Sequence, residues 1–283
     1  MKPAQSGGPD YAARIRRAQY LAGAYPFAAE VLTFYQKIAE YQNKIYAHIL
    51  RNRSSVRAPE LPQLWSAPNS HILLTPFPDM LAMFQSSGPG PVRDAARQLS
   101  TAGKDVWKAK IAEFWASSLT AAPDAAKHHD DSDKPLTDFL VRAFVQPYAE
   151  FALVQLPEPP LSANARRCPR CGGAPLVGVL RPEGDGGKRR LLCSFCLQEW
   201  DSRRIFCAAC AEDDEKKLPV YVADQFPHIR VEACDTCNFY LRTIDLTKDG
   251  NAVPIVDDLA AIPLSLWAHE HGYHPIHVNL LGT

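Results

Sequence analysis

Cys168-Pro169-Arg170-Cys171-Gly172 opens a segment, 168–237, that holds every cysteine of the chain. Three more Cys-x-x-Cys pairs follow: Cys193/Cys196, Cys207/Cys210 and Cys234/Cys237. Thiolates paired at this spacing are half of a tetrahedral metal centre. Four half-sites make two complete ones. The pairs also repeat. Cys168/Cys171 and Cys193/Cys196 enclose 21 residues, Cys207/Cys210 and Cys234/Cys237 enclose 23, and 10 residues separate the two units. Both spacings are close to tetra-cysteine metal patterns. In each unit a strand-like run (Arg190-Leu191-Leu192, then Arg230-Val231-Glu232) precedes the second pair. This is the rubredoxin or zinc-ribbon arrangement, in which two turns of a small sheet each offer two sulfurs to one ion.

Two other readings of the pairs are weaker. Redox dithiols of the thioredoxin kind call for a βαβ context, which this segment lacks. Eight cysteines permit on the order of a hundred disulfide pairings, but such frameworks belong to small secreted domains. The first residues lack the apolar core of a secretion signal. No apolar run reaches membrane-spanning length. The expectation is a cytoplasmic protein without membrane insertion. Four thiolates leave no open position on an ion, which argues against hydrolytic metal catalysis. Tetrahedral sulfur suits zinc or iron. Glycine follows only the first pair; Leu197, Ala211 and Asn238 follow the others, so poorer N–H···S bonds are expected there.

Outward from the cysteines, the chain reads as α+β: an N-terminal α-helical domain, two tandem small-β rubredoxin or zinc-ribbon-like modules, and a C-terminal helix. The expected boundaries are 1–156, a Pro-rich linker at 157–167, modules at 168–204 and 205–250, and a helix and tail at 251–283. Val31, Phe34, Tyr35, Ile38, Tyr41, Ile45 and Ile49 fall on one helical face. Leu136, Phe139, Leu140, Ala143 and Phe144 do the same after Pro135. A third helix is expected over about 94–119, with Val106, Ile111, Phe114 and Trp115. Prolines 59, 62, 68, 76 and 78 predict long loops. Residues 127–133, with His128 and His129, read as a solvated loop. Runs 176–180 and 191–192 flank a turn at Gly184, Gly186 and Gly187, and 220–222 with 229–231 form a second hairpin. One helix is expected over 257–273, capped by Asp257 or Asp258 and kinked or split by Pro263.

The motifs around the cysteines resemble the FdhE family, accessory proteins for formate dehydrogenase. The resemblance runs from about Arg167 to Leu281. It includes Arg167-Cys168-Pro169-x-Cys171-Gly172, Cys193-Ser194-x-Cys196 with Trp200 and Arg204, and Cys234-Asp235-x-Cys237-x-x-Tyr240-Leu241-Arg242 with Asp245. It continues through Asp257-Asp258-Leu259-Ala260, Leu266-Trp267-Ala268 and Gly272-Tyr273. It implies a non-catalytic cytoplasmic factor that acts on the formate dehydrogenase catalytic subunit and is associated with iron. It therefore favours iron over zinc for the two tetra-cysteine sites. Trp200, Arg204, Tyr240 and Arg242 become candidate partner-binding residues, against packing or ion pairing as the plainer roles.

Three other functions compete. The two centres could cycle electrons or sense redox state for a metalloenzyme. Arg166, Arg167, Lys188, Arg189 and Arg190 could bind nucleic acid, although 31 basic residues balance 31 acidic ones. Catalysis is the least supported, because no nucleophile–base set, paired carboxylates or phosphate loop is visible. Gly184-x-Gly186-Gly187 reads as a hairpin tip. His269, His271, His274 and His277 read as helix-end and surface residues, and Glu212 to Lys217 as a solvated loop. A homodimer stays open.

Overall fold

The computed structural model describes residues 8–53, 74–120, 134–155 and 165–280. The tract at 127–133, the linker core and prolines 59, 62 and 68 lie outside them. The described residues divide into two compact units. One comprises 8–15, 34–53, 74–120 and 134–155; the other comprises 16–33 and 165–280. The units therefore do not follow chain order.

The first unit is helical. Helix α1 (Tyr11–Ala24) contributes its first residues and α2 (Ala29–Arg51) most of its length. Along α2, Phe34, Tyr35, Ile38, Ile45 and Ile49 are buried at the expected three- and four-residue intervals. The expected loop around Pro76 and Pro78 is instead a helix start: α3 (Phe77–Ser87) carries proline in its first turn, where no N–H is needed. The single helix expected over 94–119 is two, α4 (Gly90–Thr101) and α5 (Lys104–Thr120). Gly103 at φ +84° breaks it, a conformation closed to most residues. Val106 is exposed, while Ile111 and Trp115 reach the core. Helix α6 (Lys134–Val154) is buried over 140–150, with the Phe144 ring 4.5 Å from that of Phe77. Arg14 pairs with Glu150 through two bonds of 3.0 and 2.7 Å inside this unit.

The second unit is built on one sheet. Strands β1 (Pro175–Glu183), β2 (Gly186–Cys193) and β3 (Glu199–Asp201) form one antiparallel meander. Strands β4 (Val220–Val222), β5 (Ile229–Ala233) and β6 (Phe239–Asp245) form another. The two hairpins expected from the sequence are β1–β2 and β4–β5. The meanders join by a parallel pairing of β1 with β6, giving the order β3-β2-β1-β6-β5-β4. Gly178 makes this seam possible. It faces Thr243, and a Cβ there would lie 2.2 Å from Thr243 Oγ1. Helix α7 (Pro254–Ala260) packs on β1 and β6, covering the seam with Val256, Leu259 and Ala260.

The C-terminal helix, expected to be kinked or split by Pro263, is divided at Ala261. Helix α8 (Ile262–Glu270) restarts with Pro263 in its first turn. Asp257 and Asp258 do not cap α7 from its start, since the N-cap position is Val253. They lie inside the helix, fully buried, and each pairs with an arginine. A short strand β7 (His274–Pro275) adds to the start of β6.

Candidate metal centres

All four cysteine turns share one backbone design. The first cysteine's N–H donates to the carbonyl five residues on: Cys168 to Gly173, Cys193 to Gln198, Cys207 to Glu212 and Cys234 to Phe239, at 2.8–3.0 Å. In three turns the residue after the second cysteine returns an N–H to the first cysteine's carbonyl: Gly172, Ala211 and Asn238, at 2.8–2.9 Å. Closing so tight a loop needs a left-handed residue at that position. Gly172 has φ +73°, and Leu197, Ala211 and Asn238 have φ +54°, +73° and +59°. These three are the non-glycine residues with positive φ among those described. The turn geometry therefore holds without glycine. Backbone N–H groups still reach sulfur, from Gly173 to Cys171 and Phe195 to Cys193 at 3.4 Å, and from Glu212 to Cys210 and Phe239 to Cys237.

Holding alanine or leucine left-handed costs about 1–2 kcal/mol per residue. Ala211→Gly is therefore expected to stabilise the second unit by roughly 0.5–1 kcal/mol, the strain relief exceeding glycine's added unfolded-state entropy. Chemical denaturation with metal present would measure it. Unchanged or lower stability would show that Ala211 is unstrained.

The turns bring the sulfurs together as the spacing predicts. Cys168, Cys171, Cys193 and Cys196 form one cluster, and Cys207, Cys210, Cys234 and Cys237 a second, the ligand atoms of each within 4.8 Å of one another. Sulfur–sulfur distances are 3.4–3.6 Å in the first and 3.7 Å in the second. A tetrahedron with metal–sulfur bonds of about 2.3 Å has edges near 3.8 Å. A disulfide needs about 2.05 Å. The clusters have the dimensions of an ion site and not of disulfides. Their electrostatics agree. Burial pushes the Cys193 and Cys196 thiols up, while hydrogen bonds from the three neighbouring sulfurs hold Cys168 far down. Burial likewise raises Cys207 to about 11. Four negative sulfurs can share such a space only around a cation.

The surroundings of the clusters differ. Gly173 lies against the first, where a Cβ would sit 2.9 Å from Cys193 Sγ and 3.2 Å from Cys171 Sγ. All four cysteines of this cluster are buried, with Phe195 buried between Cys193 and Cys196 in sequence. In the second cluster Cys207 and Cys234 are buried, but Cys210 and Cys237 are only half-buried. A cavity of about 430 Å³ lies beside it, lined in part by Cys207, Cys234, Leu218, Phe239, Arg230 and Glu232.

The other residues singled out by sequence are buried or make contacts within the fold. Trp200 is buried and donates its indole N–H to the Ala165 carbonyl at 2.8 Å. Tyr240 is buried. Arg242 is buried and pairs with Asp258 at 2.7 Å and with Ser265. Arg204 lies at the surface and donates to the Gly187 carbonyl at 2.9 Å. The basic run is engaged within the fold. Arg166 and Arg167 bond the Ala209 and Gly172 carbonyls, Lys188 and Arg190 pair with Asp201, and Arg189 pairs with Glu232. Burial alone would raise the Glu232 carboxyl, but Arg189 and Arg230 outweigh it and hold it below the usual range. His271 stacks on Trp267 at 4.1 Å. Among the described residues the histidines near the C-terminus join no metal-capable group.

Sequence reasoning missed one cluster. Arg17, on the part of α1 that belongs to the second unit, bonds both oxygens of Asp257, at 2.5 and 3.0 Å, and Asp249 at 2.7 Å. His228 bonds Asp257 at 2.8 Å. His228, Asp249 and Asp257 also have the spacing of a metal group, but the Arg17 guanidinium already supplies their positive charge. No local signal marks an arginine whose partners lie more than 200 positions away.

Comparison with known proteins agrees with this architecture. Residues 167–204 match the family model "FdhE, central domain", and 205–281 match "FdhE, C-terminal domain". The chain is 27% identical to a protein FdhE homolog of Aquifex aeolicus over 95% of this chain and 94% of that one. It is 28% identical to one of Pectobacterium carotovorum over 95% and 86%. The crystal structure of the FdhE protein from Pseudomonas aeruginosa has the same fold, with TM-score 0.71 at 23% identity over 98% of both chains. Consecutive matches, relatives along the whole chain and a shared fold agree: residues 167–281 carry the FdhE central and C-terminal domains, and the chain is similar to FdhE proteins along its length.

Proposed function

We propose that this chain is a cytoplasmic assembly and quality-control factor that binds the catalytic subunit of formate dehydrogenase. In this reading Cys168, Cys171, Cys193 and Cys196 hold one ion, and Cys207, Cys210, Cys234 and Cys237 a second. The ions staple the sheet instead of performing chemistry on a substrate. The observation that carries the reading is the pair of complete four-sulfur clusters. Four protein ligands complete a tetrahedral ion and leave no position for water or substrate. Family resemblance favours iron, and the sulfur set suits zinc equally. No described helix is long and apolar enough to cross a membrane, which fits a factor that meets its client in solution.

The expected result of mixing the purified chain with a formate dehydrogenase catalytic subunit is a complex recoverable by affinity pull-down. Failure to bind under both oxidising and reducing conditions would overturn the reading. Anaerobic purification also separates the redox alternative. Ferric-thiolate absorption that bleaches on reduction would support electron handling, whereas two zinc ions per chain would leave recognition alone.

A further inference from the structure

The two turns that close the clusters differ in the residue that precedes the last sulfur. Cys193-Ser194-Phe195-Cys196 places an aromatic ring before the last sulfur, and Cys234-Asp235-Thr236-Cys237 places a threonine there. Phe195 is buried, and its Cβ flanks the Gly173 site against which Cys171 and Cys193 lie. Thr236 is exposed. Its hydroxyl reaches across to Glu212 Oε2 at 2.6 Å, tying the two turns of the second cluster by a single surface hydrogen bond. The sulfurs follow suit. Cys168, Cys171, Cys193 and Cys196 are 2%, 7%, 0% and 0% exposed, while Cys210 and Cys237 are only half-buried. The buried pair of the second cluster, Cys207 and Cys234, lines the neighbouring cavity. The second cluster can thus be approached from two sides, whereas all four cysteines of the first are buried.

From this we infer that the two centres have different work: the first is a permanent staple, and the second is where the chain gives up and takes back a thiophilic ion. Exchange at a closed thiolate centre begins when a competing soft ligand, a thiol or chelator, reaches the ion as one sulfur lets go. Access to that sulfur sets the rate, because the shell around a site controls what enters it. The departing ion leaves its sulfurs to take protons from water, so no electrons move. The inference rests on the proposed ion binding by the two four-sulfur clusters but not on the formate dehydrogenase reading.

The test uses the full chain loaded with zinc and a chromogenic chelator in excess, with absorbance followed in time. Metal is counted first, and two ions per chain are expected. Release should be biphasic, one ion leaving at least roughly tenfold faster than the other, as expected where local opening differs between sites. Cys237→Ser should remove the fast phase and leave the slow one. Thr236→Phe, which copies the first cluster's cover, should slow the fast phase by roughly tenfold, and Thr236→Val, which only cuts the tie to Glu212, should quicken it. Thr236→Phe also guards against misfolding, since a damaged site would release its ion sooner. Both ions leaving at one rate, or a fast phase that survives Cys237→Ser, would overturn the inference. Fewer than two ions would overturn it together with the two-ion reading, whatever the client-binding result.

Discussion

Replacing Arg17 with methionine is expected to cost the second unit about 3–5 kcal/mol, because it leaves the buried Asp257 carboxylate without its counter-charge. Arg17 is the hub of a group in which Asp257 is fully buried and Asp249 and His228 crowd the same space. Methionine keeps much of the packing volume and removes the charge. The surviving Asp257 still accepts the Val253 N–H at 2.7 Å and meets His228, but these do not replace a bidentate guanidinium. Urea unfolding at neutral pH would measure the loss, and Arg17→Met with Asp257→Asn should recover part of it. A single variant within about 0.5 kcal/mol of the parent chain would show that the group is solvated after all. The acid limb should change as well. Burial pushes the Asp249 carboxyl up, but the Asn251 N–H and Arg17 outweigh it and hold it below the usual value. Its contribution is complete above pH ~4 and is lost as pH falls through the lowered value. Without Arg17 that contribution should shrink.

Cys193→Ser is expected to have a larger effect still. A buried structural ion contributes on the order of 10 kcal/mol of folding free energy, comparable to the whole stability of a domain. Cys193 ends β2 and is fully buried, so an ion held by three sulfurs there would also leave a buried hydroxyl beside it. The variant should bind one ion per chain, lose near-ultraviolet circular dichroism from Trp200 and Phe195, and unfold over a broad, early transition. Retention of a cooperative transition within about 1 kcal/mol of the parent would mean that the first cluster is not a staple.

The cluster membership is legible in the sequence because Cys-x-x-Cys spacing is a local constraint: each turn closes over a few consecutive residues, and the repeat dictates which turns meet. The hairpins are legible for the same reason. The seam between β1 and β6 is not, since it depends on Gly178 meeting Thr243 from a distant part of the chain. Asp257 and Asp258 read as caps because acidic residues near a helix start usually are, whereas their partners Arg17 and Arg242 come from elsewhere in the fold. The left-handed Leu197, Ala211 and Asn238 show the limit of glycine as a signal. The turn is closed by hydrogen bonds and sulfur placement, and these override the local preference of the residue that completes it.

The parallel seam has a kinetic consequence. Each three-stranded meander pairs neighbours in sequence and can form early, by short loop closures. The β1–β6 ladder joins the first strand of one to the last strand of the other, so its closure entropy falls due only after both meanders exist. Folding of this sheet should therefore have a late, slow step sensitive to Gly178 and insensitive to the hairpin turn at Gly184. Until that step is complete, two inner strand edges remain open, and a newly made chain is at its most prone to pair with another copy of itself.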